Sequence, residues 1–192
     1  MKNFMLIALL SIVFLGGVNA QNIHFGVKGG LNLANINGDY TEDLKTRTSF
    51  HVGGLAEILV LDQLYFQPEL LYSAQGAKGD NMDATIKLDY IQVPIMAKYF
   101  LIDNLSMELG PQLSFLVNSD FEFDGDPSVS IDSKDIYKKM DFGLNFGLSY
   151  KLNKIFFSGR YNLGLTQILE GDLGDEVIQH NRGFQFSVGY LF

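Results

Sequence analysis

The last ten residues, Gly183 to Phe192, read GFQFSVGYLF. Phe184, Phe186, Val188, Tyr190 and Phe192 alternate with Gln185, Ser187, Gly189 and Leu191. Successive side chains of a strand point to opposite faces, so one face here is aromatic and apolar while the other is small and mostly polar. Two folds use such a strand. A soluble β-sandwich would pack the apolar face on a core, whereas a transmembrane β-barrel would turn it toward lipid.

The N-terminus separates them. Met1 to Ala20 carries Lys2, an apolar run from Phe4 to Leu15, then Gly16-Gly17 and Val18-Asn19-Ala20. A short basic start, an apolar core and a small-x-small end describe a secretory signal peptide, too short in its apolar core to span a bilayer as a helix. Cleavage is expected after Ala20, leaving residues 21–192 as one barrel domain. Nothing after Gln21 offers the roughly 18 apolar residues of a membrane helix. The exported chain nevertheless keeps its aromatic residues, 16 Phe and 9 Tyr over the whole sequence, and has no cysteine. Export is therefore not used for disulfides. The formal charge of −8 argues against a nucleic-acid partner.

The period of two recurs along the chain. It predicts strands over Asn22–Ala34, Phe50–Val60, Leu64–Ala74, Leu88–Phe100, Leu105–Val117, Met140–Leu152, Ile155–Thr166 and Gly183–Phe192. Polar loops at Asn35–Thr46, Gln75–Thr85, Asp120–Lys139 and Glu170–Arg182 alternate with tight turns near Asp62-Gln63, Leu101–Asn104 and Asn153-Lys154. About eight strands of about ten residues, with long and short connections in alternation, describe an all-β, antiparallel, up-and-down transmembrane barrel. An even strand count puts both termini on the short-turn side, the periplasm. Pro68, Pro94 and Pro111 fall inside strands that have no free edge, where each removes a ladder hydrogen bond. They are expected to mark bulges or slips of register.

Strand parity places Lys28, Glu57, Glu69, Lys98, Glu108 and Arg160 on the inward face. A basic side chain at mid-bilayer on the lipid face would cost about 2–4 kcal/mol. An eight-stranded barrel is just wide enough for its own side chains to fill it. The expected interior is a dry, charge-paired network with Arg160 in reach of Glu69 or Glu108; a narrow ion path or binding site is the competing reading.

Other motifs carry less. His24, His51 and His180 lack metal-ligand spacing. His51 with Ser49 and the inward carboxylates could be imagined as a hydrolase array, on residue type alone. Asp120, Glu122, Asp124 and Asp126 resemble the opening of a calcium loop, but Ile131 stands where the closing Glu belongs, so a solvated acidic loop is the expectation. That loop could still bridge to lipopolysaccharide phosphates through calcium. Lys28 and Lys78 make no phosphate loop, because neither opens a helix. No catalytic residue, resident metal or cofactor is expected.

The stretches GVKGGLNLANINGD (Gly26–Asp39), FQPELLYSAQGAK (Phe66–Lys78), LDYIQVPIMAKYF (Leu88–Phe100), GPQLSFL (Gly110–Leu116), DFGLNFGLSY (Asp141–Tyr150) and RYNLGLTQI (Arg160–Ile168) resemble the PorT-like outer-membrane β-barrel family. The resemblance covers nearly all of the mature chain. It implies an architecture similar to small OmpA/OmpX-type barrels and brings no catalytic residues; Glu69, Lys98 and Arg160 lie in the matched stretches. The name-giving member is tied to a protein-secretion system, a role that would come here by fold-level analogy alone. The expectation is a monomeric, non-enzymatic outer-membrane barrel serving envelope structure or surface interaction. An accessory of a secretion machine and a narrow small-solute channel are the alternatives. Its expected partners are outer-membrane lipid and lipopolysaccharide, possible envelope or secretion proteins, and the barrel-insertion machinery. For that machinery the terminal aromatic Phe192 would be the recognised end.

Overall fold

The computed structural model describes residues 23–79, 84–123, 130–132, 136–170 and 177–192. The expected signal peptide therefore lies outside the described residues, as do Asp124 and Asp126. The strands are β1 (Ile23–Gly38), β2 (Leu44–Leu61), β3 (Leu64–Gly79), β4 (Ala84–Ile102), β5 (Leu105–Phe123), β6 (Ser130–Asp132), β7 (Met140–Leu152), β8 (Ile155–Gly164) and β9 (Gln179–Leu191).

Every pairing is antiparallel. β1 to β5 pair in succession, β5 passes to β7, and β7, β8 and β9 follow. The wall closes where β9 meets β1, from Gly26 opposite Leu191 to Gly38 opposite Gln179. β6 is a short addition against Asp120–Glu122. The wall itself is an eight-stranded barrel without edges, so every wall strand is hydrogen-bonded to a neighbour on both sides.

The closed wall turns its apolar parity outward. Phe25, Phe50, Leu109, Phe146, Phe157 and Phe186 are exposed. Outward aromatics form a run across β7, β8 and β9: Phe146 to Tyr161 at 5.3 Å, Tyr161 to Phe184 at 4.9 Å and Phe184 to Phe186 at 6.4 Å between ring centroids. Phe192 lies at the turn end, its N–H donating to Phe25 O at 2.9 Å and its ring 5.8 Å from Tyr190.

Two expectations change. First, most strands run further toward the loop end than alternation indicates: β2 begins at Leu44, β3 reaches Gly79 and β5 reaches Phe123. Toward the loop end the ladder continues, interrupted by register shifts, while side chains on both faces can be polar, so periodicity fades before the strand does. Second, the prolines shift no register. Pro68 stands opposite Ile95, Pro94 opposite Gln112 and Pro111 opposite Leu144, each in an unshifted stretch of ladder. Pairing lapses beside Pro68 and Pro94, then resumes in the same register at Leu71–Gln92 and Ala97–Leu109. Proline removes a donor but tolerates extended backbone, so it costs bonds without displacing the strand. The register shifts lie elsewhere, between Thr46 and His51, Leu59 and Leu61, Asp89 and Tyr90, and Phe100 and Ile102.

Candidate functional site

The inward side chains of the eight wall strands are buried inside the barrel in layers. At the turn end, Leu55, Phe156 and Leu191 form a small apolar cluster. Gly189 gives Phe156 its space, since a Cβ there would lie 2.2 Å from the ring Cζ.

Beside this cluster a chain of charges runs down to the turn end, with Lys98 Nζ 5.3 Å from the Phe156 ring centroid and Lys151 opposite Phe156 in the ladder. Lys28 Nζ lies 2.7 Å from Glu69 Oε2, an ionic contact without hydrogen-bond alignment. Arg160 forks onto Glu69, NH2 to Oε1 at 2.7 Å and NH1 to Oε2 at 3.0 Å, and its Nε donates to Glu108 Oε2 at 2.5 Å. Lys98 Nζ stands 3.8 Å from Glu108 Oε1 and 2.9 Å from Glu57 Oε1. Lys151 Nζ closes the series on Glu57 Oε2 at 2.8 Å. Cation and anion alternate from Lys28 to Lys151, so each carboxylate is bracketed by two cations. Gln67 Nε2 adds a bond to Glu69 Oε1 at 2.7 Å.

Arg160 is 1% exposed, and Gly147 opposite it on β7 makes room for the guanidinium stem. A Cβ at Gly147 would come within 2.9 Å of Arg160 Cγ and 2.2 Å of Gly159 O. The bidentate fork matches the planar geometry of guanidinium and carboxylate, which an ammonium cannot reproduce.

A polar layer, uncharged apart from Asp141, lies beside and above the charges. His51 Nδ1 is 2.8 Å from Asn32 Oδ1, and His51 Nε2 is 2.8 Å from Ser187 Oγ. Asn32 Nδ2 faces Phe50 O, Ser73 Oγ and Ala74 O, which assigns Oδ1 as the acceptor from His51 Nδ1–H. Nε2 then accepts from Ser187. Ser49, imagined beside His51, instead donates to Ala74 O at 2.6 Å. The Ser187–His51–Asn32 order is that of a nucleophile array, but all three side chains are buried inside the barrel. There it satisfies polar groups that water would otherwise serve. Asn145 links Gln112 and Asn162 at 2.9 and 2.8 Å, and Asn181 Nδ2 reaches Tyr90 OH at 3.1 Å and Asp141 Oδ2 at 3.0 Å.

The loop end is capped by apolar packing. Tyr137 and Leu169 form an isolated bridge, with Lys138 N donating to Ile168 O at 2.7 Å and Glu170 N to Ile136 O at 2.9 Å. Tyr137, Ile168 and Leu169 are buried against Ile36, Ala77, Leu88 and Tyr90. Burial pushes the Tyr137 phenol up to about 12, so it stays neutral in the cap. At the opposite end a crevice of about 370 Å³ opens among Asp62, Tyr65, Phe100, Asp103 and Lys151.

The calcium-like stretch is divided. Asp120 Oδ2 accepts from Asn118 Nδ2 at 2.5 Å, and Glu122 pairs with Lys87 on β4. Among the described residues no three His, Cys, Asp or Glu side chains gather to hold a metal. His180 Nδ1 instead lies 3.1 Å from Thr166 O.

Sequence reasoning missed Lys151, Phe156 and the cap. The first two could have been found, because Lys151 shares inward parity with Asp141 and Asn145, and Phe156 shares it with Ser158 and Arg160. The cap residues lie in connections without periodicity and carry no such signal.

No curated protein matches the chain in sequence. Among solved structures it is similar to Neisserial surface protein A, with a TM-score of 0.55 at 13% identity over 88% of this chain and 97% of that one. It is also similar to Ail, the attachment invasion locus protein of Yersinia pestis, with a TM-score of 0.52 at 12% identity over 89% and 99%. Ail in complex with the heparin analogue sucrose octasulfate gives 0.54 at 14% over the same shares. At these identities the likeness is one of fold. Residues 19–170 match the family described as outer membrane protein beta-barrel domain, which spans most of the chain. With its closed eight-stranded wall and apolar exterior, the chain belongs to the outer membrane protein beta-barrel domain family.

Proposed function

We propose that this outer-membrane barrel is a closed, non-enzymatic surface protein, with its long-loop end outside the cell and both termini in the periplasm. The observation that carries this reading is the alternating ion chain from Lys28 to Lys151, which runs past the Leu55–Phe156–Leu191 cluster to the turn end, beneath the Tyr137–Leu169 cap at the other end. A side chain committed to two buried partners is poorly placed to pass or bind a solute. The exposed loop end is then the part left to meet a partner. Lipopolysaccharide and outer-leaflet lipid would surround a single copy of the barrel, Phe192 would mark the chain for the insertion machinery, and nucleic acid would be repelled by the net charge.

Ail has been solved with a sulfated heparin analogue. The present chain, at −8 overall, favours cationic partners over polyanions of that kind. The finer resemblance to PorT-like barrels supports a second reading, a secretion accessory, which co-purification with large envelope partners would favour.

Conductance tests the proposal. Purified protein in planar bilayers is expected to give no steps above baseline, and neutralising Glu57 and Glu69 together is expected to leave a less stable barrel rather than a clean pore. Discrete, sustained openings from the unaltered protein would contradict the closed lumen and favour the narrow channel.

A further inference from the structure

Among the described residues the buried carboxylates are Glu57, Glu69, Glu108 and Asp141. The three glutamates belong to the ion chain, each beside two cations. Asp141 is different. It enters the barrel near the loop end of β7, is 7% exposed, and forms no ion pair with a described Lys, Arg or His.

Its surroundings are neutral. Asn181 Nδ2 donates to Asp141 Oδ2 at 3.0 Å and to the Tyr90 hydroxyl at 3.1 Å. Asp141 Oδ1 and Asn181 Oδ1 are both buried, and neither accepts a hydrogen bond. Turning the amide over offers no remedy, because Asn181 Oδ1 would then face Asp141 Oδ2 with no hydrogen between them. Ser114, opposite Asp141 on β5, accepts from Gln112 Nε2 at 3.1 Å. His180, next to Asn181 in sequence, is engaged with Thr166 O through Nδ1 at 3.1 Å.

A buried carboxylate without a counter-charge is costly, and a buried acceptor without a donor adds its own penalty. The two idle oxygens belong to side chains joined by one hydrogen bond, so they share one polar patch. A metal cation answers both faults, since it carries the missing charge and binds oxygen without needing an acceptor. The donor set selects its kind. One carboxylate with amide and phenol oxygens supplies a single negative charge, and no three described His, Cys, Asp or Glu side chains gather. Calcium takes six to eight oxygens, often from several carboxylates, and magnesium keeps much of its water. We propose that Asp141, Asn181 and Tyr90 hold a monovalent alkali cation, sodium or potassium, beneath the Tyr137–Leu169 cap. The Tyr90 ring packs in that cap, so the ion joins β4, β7 and β9 under it and steadies the closed loop end.

The test uses the full chain folded in zwitterionic lipid vesicles, with urea midpoints read at equal ionic strength in sodium, potassium or choline chloride. Choline is too bulky for a buried oxygen site. Sodium or potassium is expected to raise the midpoint above the choline value, by a gain that grows with concentration as linkage requires of a ligand held by the folded state. Asp141→Asn removes the charge at nearly constant shape. It should make the three salts equivalent and match or exceed the parent in choline. A proton on Asp141 is the rival, and it would make the midpoint follow pH but not the identity of the cation. Equal parent midpoints in all three salts would overturn the proposal, and so would a sodium or potassium gain that survives in Asp141→Asn. Sodium-23 NMR on the parent decides the matter without a variant. Line broadening by the folded barrel, lost on unfolding in urea, is expected, and its absence together with equal midpoints in sodium and choline would exclude sodium.

Discussion

Arg160→Met is expected to lower the folding free energy of the barrel by about 3–5 kcal/mol, the range for stripping one partner from a buried ion pair. The guanidinium supplies the Glu69 carboxylate with two hydrogen bonds and Glu108 with its one close cation. After its removal Glu108 keeps only Lys98, at 3.8 Å. The loss should appear as a lower midpoint in urea titrations in lipid vesicles, with the folded fraction read from the heat-modifiable band on gels. Arg160→Lys should fall between the two, because it keeps charge but not the fork. Adding Glu108→Gln to Arg160→Met should recover a large part of the loss, since the stranded carboxylate is then gone. A loss below about 1 kcal/mol, the range of solvated surface pairs, would mean that water already serves these groups.

The second large effect belongs to the outer face. Phe186→Arg is expected to destabilise the folded barrel by about 2–4 kcal/mol, the depth-dependent cost of a basic group on the lipid side. Phe186 is exposed and lies opposite Gly159 on β8, next to Arg160 in sequence but on the other side of the wall. Phe186→Leu keeps the residue apolar and should cost far less. The same urea titration separates the two variants. Equal tolerance of arginine and leucine at this position would place Phe186 in water.

The contrast between Arg160 and Phe186 also shows how much the sequence revealed. A period of two assigns each residue to a face, and its recurrence between long and short connections was enough to infer a closed eight-stranded wall. Face is all that parity supplies. It puts Lys28, Glu69 and Arg160 on the inner side, but their strands are distant in sequence, and closure decides which side chains meet across the lumen. Lys151 escaped notice because it stands next to a turn, where a lysine reads as a solvated end. The loop-end strand extensions were hidden for a related reason. From Leu44 to Ser49 and from Asn118 to Phe123 the strands continue where the side chains no longer keep an apolar face. Pro68, Pro94 and Pro111 suggested bulges because they remove donors, yet extended backbone accommodates them in place. The cap of Tyr137, Ile168 and Leu169 has no periodic signal, because loop residues folded over an opening need only be apolar. The Ser187–His51–Asn32 contact joins three strands, and no local motif announces it.

The chain contains no tryptophan, so single-tryptophan variants report one position at a time without background. Phe186→Trp and Phe146→Trp place the reporter outside the wall, and Phe156→Trp places it within, where the native ring is buried. In vesicles of lipids brominated midway along the acyl chain, the two outer reporters should be quenched several-fold more strongly than the inner one. Equal quenching at all three sites, or stronger quenching at Phe156→Trp, would contradict an apolar exterior facing hydrocarbon around a charge-filled lumen.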